Sequence, residues 1–286
     1  MQTILKRNGL LVLIGVLLFT NVFIWQAAFA SPEHGFLTVA VLDIGQGDSI
    51  YIEGPDGTEV LVDGGPDGKV LSELGKVMPF GDISLDVLIV TNPDKDHYGG
   101  FLDVLKKYNV GEVLEPGTET PGETYRIFKR ELADKHIPVV LARRDMALQL
   151  GDGAVLRILF PDRDVSNFST NDGSIIMRLD YGSTSVMLSG DTTKLIEEYM
   201  VNRYQKDLPA TILKVAHHGS KTSSGSHFVE AVSPEYAVIS DGKNNKYGHP
   251  HQVTLDTLLK YGIRFFRTDQ EGTTVFESDG KSFVFR

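Results

Sequence analysis

The sequence predicts an α/β fold in which two β-sheets lie inside one domain with helices outside them. Three observations carry that expectation. Past residue 30 strand-like segments cluster at both ends of the chain, strands and helices alternate between the clusters, and no linker, low-complexity tract or charge run divides residues 31–286. At 286 residues there is ample length to bury a core. An apolar fraction of 41% and a charged fraction of 23% are those of an ordinary globular protein.

The first thirty residues stand apart. Lys6-Arg7, an apolar run over residues 10–19, and Ala28-Phe29-Ala30 ahead of Ser31-Pro32 read as an export signal cut after Ala30. The competing reading is an uncleaved anchor, because residues 9–30 are mostly apolar and nearly long enough to span a bilayer. Either way residues 31–286 are expected outside the cytoplasmic membrane, secreted or held at its outer face by a tether through residues 9–30. Cysteine is absent, which excludes disulfides and thiolate metal sites. The net charge of -10 becomes -12 without Lys6 and Arg7, so a broad basic surface for duplex nucleic acid is excluded and any such contact must be local.

The elements follow in order. Residues 36–43 are β-rich, the turn Ile44-Gly45-Gln46-Gly47-Asp48 leads into a second strand at 49–53, and Gly54-Pro55-Asp56-Gly57 turns into a third at 58–62, ending in Asp63-Gly64-Gly65. Short loops make these antiparallel neighbours. Val70, Leu71, Leu74 and Val77 have helical spacing, 87–90 is an apolar strand, and Leu102, Leu105 and Tyr108 mark another helix. A strand at 110–114, a helix at 123–136 with Tyr125, Phe128 and Leu132 on one face, and a strand at 138–141 complete the alternating part. Strands then return at 148–150, 154–160, 174–181 and 185–189. Asp191-Thr192-Thr193 stand where short oxygen-bearing side chains would cap a helix over 194–204. A strand at 211–215, a helix at 228–232, a strand at 236–239, a helix at 253–261, a strand at 263–266 and a hairpin turning at Ser278-Asp279-Gly280 close the chain.

Chemistry gathers in the loops after apolar strands. Thr91 to Gly100 reads Thr-Asn-Pro-Asp-Lys-Asp-His-Tyr-Gly-Gly, with Asp94, Asp96 and His97 within four residues and Pro93 restricting the backbone ahead of them. Asp63, Asp191, the pair His217-His218, and Tyr247-Gly248-His249-Pro250-His251 follow other strands. Each alone has a bland reading: a solvated acidic turn, a helix cap, a chance His pair. Together they pack five of the eight histidines into three loops, and strands of one sheet bring their ends together. His34, His136 and His227 stand alone and read as surface or structural residues.

With Leu42-Asp43-Ile44-Gly45-Gln46-Gly47-Asp48-Ser49, Val62-Asp63-Gly64-Gly65, Asn171-Asp172-Gly173-Ser174, Leu188-Ser189-Gly190-Asp191 and His217-His218-Gly219-Ser220 added in that order, residues 36–270 resemble the metallo-β-lactamase superfamily. Within it the chain is similar to the extracytoplasmic hydrolase domain of ComEC-type competence proteins. The resemblance implies a four-layer αββα sandwich with two divalent metal ions at the edge of its sheets. The superfamily's His-x-His-x-Asp-His motif falls on Asn92, Asp94, Asp96 and His97. Asp94 is then expected on the first metal, Asp96 and His97 on the second, Asp191 on both, and one of His217 and His218 completing the second site. Asp63 matches an aspartate that orients ligands, and Asn171 stands where a remaining first-metal ligand is found.

Asn92 stands where most members have a histidine, and Asp94 replaces a second imidazole with a hard oxygen. Both changes favour manganese or magnesium, with zinc as the other choice. Two such ions can activate a water for displacement at phosphorus, with Asp96 orienting it and His249 or His251 protonating the leaving oxygen or holding the phosphate. Ser220, Lys221, Lys243 and Lys246 form a local collar of donors and cations for a phosphodiester or nucleic-acid substrate. The expected function is an exported, metal-dependent phosphodiesterase or nuclease. One rival is a hydrolase of a small ester, lactam or nucleotide, which a narrow apolar pocket would favour; another is a metal-poor surface binding module.

Overall fold

The computed structural model describes residues 16–20 and 35–286; apart from the helical turn at 16–20, the export signal or anchor expected over residues 1–30 lies outside the described residues. No helix among those residues is long and apolar enough to cross a membrane. In chain order the strands are β1 (Leu37–Val41), β2 (Ile50–Glu53), β3 (Glu59–Val62), β4 (Ser84–Ile89), β5 (Asn109–Glu115), β6 (Val139–Leu141), β7 (Ala147–Gln149), β8 (Val155–Phe160), β9 (Ile176–Tyr181), β10 (Thr184–Leu188), β11 (Ile212–Lys214), β12 (Tyr236–Ile239), β13 (Arg264–Arg267), β14 (Thr274–Ser278) and β15 (Phe283–Phe285). The helices are α1 (Lys69–Val77), α2 (Lys95–Tyr98), α3 (Phe101–Lys107), α4 (Glu123–Asp134), α5 (Lys194–Tyr204), α6 (Ser226–Val232), α7 (Gln252–Lys260) and α8 (Thr268–Glu271).

Eight strands form one sheet in the order β15-β14-β1-β2-β3-β4-β5-β6, and seven form a second in the order β13-β12-β11-β10-β9-β8-β7. Three apolar layers explain why the strands read as near-continuous hydrophobic runs, since a strand covered on both faces needs no polar side. Between the sheets Val60, Val62, Val87 and Ile89 meet Met177, Leu179, Val186 and Leu188. On the outer face of the first sheet Leu61 and Leu88 pack with Leu74, Phe101 and Phe128 from α1, α3 and α4. Outside the second, Met187, Leu213 and Ala237 pack with Met200, Phe228 and Leu258 from α5, α6 and α7. This is the αββα sandwich that the sequence predicts.

Strand direction decides where the polar loops meet. β3 and β4 pair in parallel, with Val62 opposite Ile89, and β10, β11 and β12 pair in parallel through Leu188, Lys214 and Val238. Their carboxyl ends, leading to Asp63, Thr91, Asp191, His217 and Ser240, therefore share one edge of the sandwich. The opposite edge holds the start of β1, whose Thr38 pairs with Glu53, and the loop that precedes β4. Phe36, Phe80 and Ile83 are exposed there, Phe80 almost completely at 96%.

One local expectation is corrected. Thr193 occupies the N-cap of α5, but its side chain makes no cap bond; its hydroxyl donates to Asp172 at 2.5 Å instead. The amides of Ile196 and Glu197 go to the Thr193 carbonyl, both at 3.0 Å.

Candidate metal centre

His97 sits on the four-residue α2 and is fully buried. Its Nδ1 lies 2.8 Å from Oδ2 of Asp63, and the same carboxylate accepts the Thr91 amide at 2.8 Å and the Thr91 hydroxyl at 2.6 Å. With Nδ1 held by the Asp63 carboxylate, Nε2 faces the other way. That nitrogen lies 3.2 Å from Oδ2 of Asp191.

His218 repeats the device from the second sheet. Its Nδ1 donates to the Ser240 carbonyl at 3.0 Å, leaving Nε2 3.5 Å from Asp96 and 3.6 Å from Oδ1 of Asp191. His217 Nε2 lies 3.7 Å from the other Asp191 oxygen. Both histidines are left-handed, at φ 51° and 53°, and Gly219 continues the twist at φ +80°. Three successive residues in that region hold the chain in a strained turn that presents two rings to one carboxylate.

The other expected residues fall around this nucleus. Asp94 is half-buried and accepts the Thr170 hydroxyl at 3.0 Å. Asn92 is buried with its carboxamide engaged inside the protein: Oδ1 accepts the Asp94 amide at 2.9 Å, and Nδ2 donates to Asn171 Oδ1 at 2.8 Å and to Ser174 at 3.5 Å. Asn171 therefore meets Asn92 by its oxygen. The ring of His249 lies 5.7 Å from His217, 6.1 Å from His218 and 5.0 Å from His251. His251 Nδ1 accepts the Lys221 amide at 3.2 Å, while Ser220 is buried against Thr222. Lys221, Lys243 and Lys246 are exposed, and Lys246 lies 5.1 Å over the Tyr247 ring, which stacks on His249.

Two buried residues beside this cluster are given no role in the reading by sequence. Asp48 and Lys214 are buried in contact, Nζ to Oδ2 at 2.7 Å, and the other Asp48 oxygen lies 3.2 Å from His218 Nδ1. A lysine inside the apolar strand Ile212-Leu213-Lys214-Val215 was the available signal, because a buried ammonium demands an anion.

Charge in the cluster is strongly coupled. Burial opposes ionisation of Asp191, but the facing imidazoles of His97 and His218 hold its carboxyl well below the usual range. Burial works likewise on Asp48, and Lys214 with His218 outweighs it, bringing it to about 2. Asp191 and Asp63 overcome the burial of His97, whose ring rises well above its ordinary value, and Asp191 with Asp48 overcomes that of His218, which rises to about 10. His249 moves oppositely, to about 4, through burial and the neighbouring rings of His218 and His217.

A divalent ion fits this donor set. Nε2 of His97, Nε2 of His218 and Oδ1 of Asp191 are buried without a hydrogen-bond partner. Atoms of Asp96, His97 and His218 lie within 4.8 Å of one another, as do atoms of Asp48, Asp191 and His218. Binding a cation there would displace protons from the two rings.

Comparisons with known proteins agree with this architecture. ComE operon protein 3 of Bacillus subtilis (strain 168) is 35% identical over 259 residues, 82% of this chain and 32% of that protein. Competence protein ComA of Neisseria gonorrhoeae is 30% identical over 251 residues, 86% of this chain and 33% of that protein. The chain thus spans about a third of the length of these relatives. The metallo-beta-lactamase fold protein YhfI from Bacillus subtilis superposes with a TM-score of 0.57 at 13% identity, covering 85% of this chain and all of that one, a likeness of fold. The sequence model described as Metallo-beta-lactamase superfamily matches residues 42–240, from the first glycine-rich turn to the serine that holds His218. A match of that extent decides the matter of kinship: the chain belongs to the metallo-beta-lactamase superfamily.

Proposed function

We propose that the protein is a two-metal phosphodiesterase acting on nucleic acid, a finer reading within a superfamily whose fold implies divalent metal ions and whose members are mostly hydrolases. The observation that carries it is the convergence of three buried, unpartnered donor atoms on His97, His218 and Asp191. In this reading Asp96, His97, His218 and Asp191 hold one ion, and Asp94 and His217 are the residues available beside Asp191 for a second. Bound ions supply charge for an attacking water and for a leaving oxygen at phosphorus.

The chain's own residues do the rest. Asp63 and the Ser240 carbonyl fix the tautomers of His97 and His218. Asp96, the most solvent-exposed of the four ligand groups, orients the attacking water from the open side. His249, kept neutral by burial and by its neighbouring rings, offers a lone pair at the mouth, and His251 stands beside it. Oxygen donors at Asp94, Asp96 and Asp191 favour manganese or magnesium. Lys221, Lys243 and Lys246 supply cations for a polyanion, and the relatives named for competence support nucleic acid as the substrate class. Residues 1–30, as export signal or anchor, would put the site outside the cytoplasmic membrane.

The test is incubation of the purified protein with single-stranded DNA, a generic phosphodiester and a β-lactam, each with manganese, magnesium or zinc, beside Asp191→Ala. Cleavage of DNA or phosphodiester by the wild type alone, with metal content lowered in the variant, is expected. Hydrolysis of the β-lactam only, or equal behaviour of the two proteins on every substrate, overturns the proposal.

A further inference from the structure

Behind the ligands lies an ion pair that the reaction above does not use. Lys214, the last residue of β11, is 1% exposed; its Nζ donates to Asp48 Oδ2 at 2.7 Å and to the Val215 carbonyl at 3.0 Å. Such a pair is expensive to desolvate and is often matched in stability by apolar residues of similar volume. Its presence therefore calls for a purpose other than stability.

Asp48 touches the turns that carry Asp63, Asp96 and His218. Its amide donates to the Asp96 carbonyl at 3.2 Å, and its carbonyl accepts the amide of Gly65, two residues past Asp63, at 2.8 Å. Oδ1 has no hydrogen bond of its own and stands 3.2 Å from Nδ1 of His218, whose hydrogen bond goes to the Ser240 carbonyl. One carboxylate oxygen also lies within 4.8 Å of ligand atoms on Asp63 and His97. The residue thus spans loops from both sheets, and Lys214 is its own fastening, 166 positions away.

We propose that Asp48 and Lys214 are a positioning couple for the metal centre. Asp48 holds the Nδ1–H side of His218 so that Nε2 stays aimed at Asp96 and Asp191, and Lys214 pins Asp48 and balances its charge. The inference rests on the ligand reading of Asp96, His97, His218 and Asp191.

Two double variants of the full chain test it, because Lys214→Met alone strands a buried carboxylate. Asp48→Leu with Lys214→Met removes both charges and the acceptor; Asp48→Asn with Lys214→Met keeps an oxygen for His218. Thermal melts in chelator report folding, and manganese titration reports affinity. The Leu/Met protein is expected to fold yet bind manganese about 10- to 100-fold more weakly, with the Asn/Met protein recovering part of the loss. A folded Leu/Met protein that binds as tightly as wild type overturns the inference while leaving the ligand reading intact. A wild type that takes up no manganese overturns both. Wild-type protein gives a readout free of any folding problem: with zinc added, the ¹⁵N signals of His218 should show Nε2 ligated and Nδ1 protonated, and the reverse tautomer refutes the couple.

Discussion

Gly47 makes a close backbone approach in the centre. At φ +128°, a Cβ added there would stand 2.2 Å from the Asp96 carbonyl oxygen, the atom that accepts the Asp48 amide. Gly47→Ala is expected to cost about 1–3 kcal/mol from backbone strain alone, seen as a lower urea midpoint, and to weaken manganese binding by pushing α2 outward. Gly75→Ala is the control: that position lies inside α1 with open space around it, and should gain about 0.5–1 kcal/mol. At this scale the ligand-type side chains are legible in the sequence, since Asp96, His97, Asp191, His217 and His218 betray themselves by type and by following buried strands. Asp48 and Lys214 are not, because their meaning is a contact across 166 residues. Asn92 marks another limit. Its type says that it can donate an oxygen; only coordinates show that oxygen already bonded to the Asp94 amide.

Helix α5 shows what a helix read from sequence reveals and conceals. Its span, Lys194–Tyr204, is read from the short oxygen-bearing residues that precede it, whereas α2 and α8, four residues each, are too short to show a period. Concealed within α5 is Glu197, 1% exposed, whose two oxygens accept the amides of Ser224 and Gly225 ahead of α6. Burial pushes its carboxyl up to about 7 despite those donors. The folded state therefore binds a proton that the unfolded chain has released, and this contribution to stability is full below the unfolded value near 4.5 and lost as pH rises through about 7. Its size is on the order of 3 kcal/mol. Urea midpoints at pH 5 and pH 8 should lie closer together in Glu197→Gln than in wild type, whatever the variant's absolute stability; an unchanged gap would falsify this assignment.

At the scale of the molecule, the two sheets and their outer helices follow from runs of apolar residues punctuated by glycine and aspartate, so the architecture is legible almost whole. Pairing across the sandwich is not, because β14 and β15 rejoin the first sheet beside β1 from the far end of the chain, with Val39 opposite Phe276. The placement of the two edges leads to a further expectation. Fusing a folded protein ahead of residue 35 should leave metal binding and hydrolysis within about twofold of wild type, whereas an insertion after Lys243, on the loop beside His249, should abolish hydrolysis with metal content retained. The reasoning is directional. β1 starts at the edge opposite the ligand-bearing turns, the edge that also carries the exposed Phe80 and Ile83. The mouth therefore faces away from the edge where β1 starts. Under the proposed function, a polymer substrate would reach the ligand-bearing turns without passing the edge where β1 starts.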